Sequence, residues 1–212
     1  VGLLFIGATG LWSIGMFSLA QILVSVVLCM LIGIPLGVLA AVNNTFEAII
    51  RPVLDAMQTL PAFVYLIPVL MFFGGNVVSA VIAIMIYSLP PVIRLTNLGI
   101  REVSTEAVEA STSFGSTFTQ TLFKVKIPLA LPSIMMGVNQ SVMMALAMLI
   151  ITPLIGGGGI GREVFLGLSQ ADTGQSLQAG LCIVFLAVVL DRLTQAISVR
   201  QQKALGLNIG TH

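Results

Sequence analysis

Four stretches of the chain carry no charged side chain: residues 1–46, 57–93, 127–161 and 173–190. A helix crossing a bilayer needs roughly 20 apolar residues, each rising 1.5 Å. The first stretch predicts one span over residues 17–42, with part of another helix before it. The second is too long for one span, and Gly74-Gly75-Asn76 divides it into a hairpin, residues 57–73 and 77–93. The third predicts a span over residues 129–154 followed by a glycine loop. The last predicts a span over residues 176–196. The pattern therefore predicts five spans, with Pro35, Pro68 and Pro90-Pro91 kinking or ending helices.

Composition agrees with that pattern. The chain is 57% hydrophobic and 8% charged, with mean hydropathy +1.08, whereas soluble domains carry about 25% charged residues. The net charge of +1 decides nothing, but its placement does. With loops assigned alternately to two sides, Arg51, Arg94, Arg101, Lys124, Lys126, Arg192, Arg200 and Lys203 share one side, and Arg162 stands alone on the other. The positive-inside rule puts the first group in the cytoplasm. The loop around Glu109 and the C-terminus are then cytoplasmic, and residues 74–76 and 156–173 face outside. Residues 1–11 begin with Val1 and read as the end of an earlier membrane helix or as an N-terminal lead-in. Residues 12–200 form the membrane domain, and residues 201–212 a cytoplasmic tail.

One cytoplasmic segment, residues 98–127, is polar and helix-forming between apolar runs. Val103, Ala107, Ala110 and Phe114 fall on one helical stripe, and Glu102, Glu106 and Glu109 on a neighbouring face. Ser104 is placed to cap the helix, whose first-turn glutamate suits the helix dipole. Gly115 can end it in the left-handed conformation. Thr117-Phe118-Thr119-Gln120 reads as a capping box that opens a second short helix, and Pro128 and Pro132 mark entry into the next span. A helix lying on lipid would present Lys and Arg on its polar face. This one presents glutamates, which anionic lipid repels.

Glu109-Ala110-Ser111, Gly115 and Val125-Lys126-Ile127-Pro128 match, in spacing, the EAA loop of permease subunits in bacterial ATP-binding-cassette importers. Ser111 stands where the pattern has a second alanine. Longer strings narrow the resemblance. Residues 54–68 (LDAMQTLPAFVYLIP), 89–101 (LPPVIRLTNLGIR), 113–116, 132–140 and 190–195 resemble permeases of glycine betaine/proline betaine importers, and the match runs over residues 12–196. The resemblance implies an all-α membrane protein with the type I, MetI-like importer permease fold. It also implies a permease homodimer in the bacterial cytoplasmic membrane, cytoplasmic ATPase subunits that hold ATP and magnesium, and an external solute-binding protein. This chain would itself bind no cofactor or metal, catalyse nothing and engage no nucleic acid. Glu109, Ala110, Ser111, Gly115 and Ser116 would couple it to the ATPase. The solute would be a compatible solute such as glycine betaine or proline betaine, imported by alternating access. An importer permease for an amino acid or another small solute would share the loop and the fold. An ATPase-independent channel or secondary transporter would be expected to show repeats and acidic relays inside the spans, and Asp55 and Asp191 lie at span edges.

The remaining candidates are weaker. Gly156-Gly157-Gly158-Gly159-Ile160-Gly161 lacks the Lys-Ser/Thr of a phosphate loop and reads as a flexible external loop. Cys29 and Cys182 lie in spans without metal-ligand spacing, and the only histidine is His212. Asn139 and Gln140 fall near mid-bilayer, either as helix–helix glue or on a solute pathway. Phe63, Tyr65 and Tyr87 could present ring faces to a quaternary ammonium or simply pack. Arg94 reads as a side chain snorkelling to the interface.

Overall fold

A computed structural model describes residues 2–204, and the secondary structure over them is helical. Among the described residues, four helices are long and apolar enough to cross a membrane: α2 (Trp12–Val42), α5 (Val77–Arg101), a continuous helix over Phe118–Leu149 whose main part is α8 (Ile127–Leu149), and α10 (Thr173–Ala204). The shorter helices are α1 (Gly2–Ala8), α3 (Asn44–Thr59), α4 (Ala62–Phe73), α6 (Thr105–Ser113), α7 (Phe118–Thr121) and α9 (Gly159–Ser169).

The span expected over residues 57–73 is broken. Helices α3 and α4 meet at 104°, so five spans are reached only if this bent pair counts as one. The break follows from Leu60-Pro61: a proline drives its predecessor out of the helical region, and Leu60 is extended at φ −70°, ψ 134°. The 12 residues of α4 reach about 18 Å at 1.5 Å each, short of a hydrocarbon core of about 30 Å.

Helix α5 is the centre of the bundle, clasped by α2 and α8. Small residues let the backbones close. A Cβ on Gly37 of α2 would stand 2.6 Å from Thr96 Cβ and 2.8 Å from the Ile93 carbonyl. On the other side, a Cβ on Gly99 would stand 2.6 Å from Ser133 Cβ of α8. Such contacts are how membrane helices gain packing where lipid offers no hydrophobic drive. Polar ties complete the clasp. The buried Ser88 carbonyl of α5 accepts from Cys29 Sγ of α2 at 3.3 Å and from Ser141 Oγ of α8 at 2.6 Å. Cys29 thus serves as a small core residue with a weak donor.

Two further expectations change. The glycine run 156–161 is a packed corner. Gln21 Nε2 donates to the Gly157 carbonyl at 2.6 Å, the Ile160 amide donates to Ser18 Oγ at 2.7 Å, and Ile160 is fully buried. Helix α9 starts there and packs on α2 and α10. The second short helix of the polar segment is not separate either. α7 passes through a π-helical turn, Leu122–Lys126, straight into α8. Pro128 has no amide hydrogen and its ring crowds the carbonyl four residues back. The wider turn, with the Ile127 amide on the Leu122 carbonyl, accommodates the proline without ending the helix.

Candidate functional site

Helix α6 has no buried residue: Ala107, Val108 and Ser111 are half-buried and the rest is exposed. Ser104 occupies the N-cap position, but its side chain makes no capping bond. The other end is closed with more care. Gly115 has φ +79°, its amide donates to the Thr112 carbonyl at 2.9 Å, and the Ser116 amide reaches back to the Ser111 carbonyl at 3.3 Å. This is the Schellman pair of bonds around a left-handed glycine. No atom would lie within 4 Å of a Cβ on Gly115, so conformation, not space, calls for glycine here.

A cluster of hydroxyls fixes the turn to the next helix. Ser116 Oγ donates to the Ser111 carbonyl at 2.8 Å and lies 2.7 Å from Thr121 Oγ1, which is 3.1 Å from Ser111 Oγ. Thr117 and Gln120 form the reciprocal capping box that the spacing predicts, at 2.9 and 3.4 Å. Since α7 continues into α8, the glycine turn is bolted to the end of a membrane-spanning helix.

The helical stripe read from the sequence divides. Val103 packs against Ile100, Leu122, Ala130 and Ile134, whereas Phe114 is 92% exposed. Glu102, Glu106, Glu109 and Ala110 are exposed, and Ser111 and Ser116 are half-buried. Ser111, Phe114, Gly115, Ser116, Gln120 and Lys124 border a hollow of about 340 Å³. Together they make a projecting, acid-flanked helix end with one bare aromatic ring beside a recess.

The residues considered for a solute pathway are not brought together as one group. Tyr65 and Tyr87 meet edge to face at 5.5 Å, with the Tyr65 hydroxyl donating to the Met57 carbonyl. Phe63 lies on the exposed surface of α4. Asn139 faces α10: Thr194 Oγ1 donates to its Oδ1 at 2.6 Å, and its Nδ2 reaches Asp191 at 3.4 Å. Its neighbour Gln140 instead lines a cavity of about 460 Å³ between α2, α3, α5 and α8. Arg94, read as a snorkelling side chain, pairs with Asp55 of α3. No spacing rule links two residues 39 positions apart, so sequence reasoning had no access to that pair.

Comparison with known proteins places this arrangement. The family model described as "binding-protein-dependent transport system inner membrane component" matches residues 33–203. The chain is 50% identical to the glycine betaine/proline betaine transport system permease protein ProW of Escherichia coli, over 93% of this chain and 56% of the relative. It is 49% identical to the glycine betaine/carnitine transport permease protein GbuB of Listeria monocytogenes, over 92% of this chain and 70% of that one. With the glycine betaine transport system permease protein OpuAB of Bacillus subtilis it shares 44% identity, over 95% and 72%. The chain thus spans little more than half the length of ProW. Among solved structures, the inward-facing MetNI methionine transporter superposes with a TM-score of 0.76 at 21% identity, covering 90% of this chain and 93% of that one. An amino acid ABC transporter structure gives 0.66 at 19%, covering 94% and 98%. These two likenesses establish the fold. With the family model covering most of its length and the long helices clasped around α5, the chain belongs to the binding-protein-dependent transport system inner membrane components, the transmembrane subunits of ABC importers.

Proposed function

We propose that this chain forms the membrane pathway of an importer for a small zwitterionic osmolyte such as glycine betaine or proline betaine, and that the loop centred on Gly115 receives the stroke of a cytoplasmic ATPase. The observation that carries the reading is the loop's construction. An exposed helix, α6, ends in a left-handed glycine and is pinned by hydroxyls and a capping box onto a helix that crosses the bilayer. The ATPase subunits hold ATP and magnesium and do the chemistry, while this chain moves. ATP binding favours one global state and release the other, so the cavity between subunits alternates its opening. Two permease copies and an external solute-binding protein complete the assembly in the bacterial cytoplasmic membrane. Glu109 gives a charge-assisted contact to the ATPase, and Ala110 and Ser111 allow close approach. The substrate class is supported by the names of relatives at 44–50% identity and by span centres without charge.

Reconstitution with the neighbouring ATPase and binding protein tests the reading. ATP-driven uptake of betaine should be competed by proline betaine and carnitine and not by an unrelated amino acid. Preference for the amino acid would reassign the solute, and uptake without the ATPase would discard the coupled mechanism. Orientation is tested by single cysteines at Ser113 and Gly158 in a background lacking Cys29 and Cys182. An impermeant reagent added outside should label position 158 and leave position 113 untouched.

A further inference from the structure

The cavity that Gln140 borders is not the coupling loop, and its walls have a chemistry of their own. Its volume, about 460 Å³, falls in the range of small-ligand sites, roughly 300–1,000 Å³. Arg51, Arg94 and Arg101 line it against a single carboxylate, Glu47. Arg94 is matched by Asp55. The other two are not. Arg101 is held in place by neutral acceptors: its Nε donates to Asn97 Oδ1 at 2.9 Å, and its Nη2 donates to the Ala40 carbonyl and Asn44 Oδ1 at 2.8 Å each. These bonds orient the guanidinium plane and leave its charge unanswered. Its Nη1 makes no hydrogen bond among the described residues, and Arg51 has neither an ion pair nor a hydrogen bond among them. A guanidinium carries five donors in a planar fork suited to two oxygens. With Nε and both Nη2 hydrogens used, Arg101 keeps the two Nη1 donors for an oxyanion, while the fork of Arg51 is open to a carboxylate or a phosphate.

We propose that this cavity binds an oxyanion, held by Arg51 and Arg101 and assisted by the amides of Gln58 and Gln140. The rest of the wall includes Ile50, Leu54 and Leu98, which suits a ligand with an apolar portion. Two sources share this chemistry. One is the headgroup of an anionic phospholipid, since basic recesses between membrane helices take such groups. The other is the carboxylate of a free solute. The site lies at the end of α5 that leads into the loop, and Arg101 ties the α2–α3 corner to that end. An oxyanion there would brace the corner from which the loop departs.

The full chain, purified into nanodiscs of phosphatidylcholine with or without phosphatidylglycerol, tests the proposal. Native mass spectrometry reads retained phosphatidylglycerol. Thermal stabilisation in pure phosphatidylcholine discs reads inorganic phosphate, glycine betaine and choline, the last having the same quaternary ammonium and no carboxylate. Retained phosphatidylglycerol without stabilisation by phosphate or betaine identifies the headgroup, and stabilisation by either small oxyanion identifies a free ligand. In both cases Arg51→Gln should reduce the signal several-fold. Arg51 is exposed and unbonded, so its replacement leaves the helices in place, and Arg101→Gln serves as a second variant. The proposal is overturned if no oxyanion binds, if Arg51→Gln matches the wild type, or if choline stabilises as well as betaine does.

Discussion

Two glycines, Gly37 and Gly115, serve opposite purposes. Gly37 sits in ordinary helix, with Thr96 and the Ile93 carbonyl closing the space a side chain would need. Gly115 has open space around it and a backbone conformation that other residues resist. The bundle around α5 is specified by volume, with twelve buried residues on that helix. The loop is specified by dihedral angles and local hydrogen bonds, with no buried residue on α6. Damage to the first should therefore appear as lost folding, and damage to the second as lost coupling in a folded protein.

The largest effect should come from Gly37→Val. Its branched side chain meets a backbone carbonyl, which cannot rotate away, so α2 must lift from α5. Overpacking typically costs about 1–3 kcal/mol, and two clashes at one Cβ put this variant at or above the upper end. Thermal unfolding in detergent and recovery of monodisperse protein read the outcome. Wild-type stability would mean that α2 and α5 do not approach as described.

Next comes Gly115→Val, where no clash is available and only the backbone objects. A non-glycine residue held in the left-handed region costs about 1–3 kcal/mol, confined to the turn. Unfolding of the bundle should match wild type while ATP-driven uptake is lost, and Gly115→Asn should retain part of it, because asparagine tolerates this region. Glu109→Lys and Phe114→Ala should likewise leave the unfolding midpoint unchanged and weaken capture of the ATPase subunit. A fall in bundle stability equal to that of Gly37→Val would erase the distinction between the two regions.

The same distinction explains what could be read from the chain. The Gly115 turn and the Thr117–Gln120 box are legible because each is settled within four to six consecutive residues. The four long helices were legible because uncharged length alone predicts them. The break at Leu60-Pro61 has a local signal, a proline that restricts its predecessor, but it lies inside an apolar run whose length reads as one span. Pro128 does mark the first turn of α8, but the π turn before it joins that helix to α7, which the proline alone does not announce. The Arg94–Asp55 pair and the opposite facing of Asn139 and Gln140 depend on how distant helices are rotated against one another, which local periodicity does not encode. The packed corner at Gly157 was hidden for the same reason, since its partners Ser18 and Gln21 lie more than a hundred residues away.

The smallest effect separates two caps within the loop itself. Ser104 and Thr117 both stand at N-cap positions, and sequence rules treat them alike. The structure does not: Thr117 exchanges two bonds with Gln120, whereas the Ser104 side chain makes none at its cap. Thr117→Ala should therefore cost about 1 kcal/mol of local stability, the usual loss for a working cap, and Ser104→Ala only a few tenths. Because α7 runs into α8, loosening at Thr117 should be felt where the loop joins the span. Hydrogen exchange at the amides of Phe118 to Gln120 should accelerate in Thr117→Ala and stay unchanged in Ser104→Ala, with uptake reduced modestly in the first alone. Equal exchange in the two variants would mean that the capping box does not hold the turn, and that the hydroxyls of Ser111, Ser116 and Thr121 fix it without help.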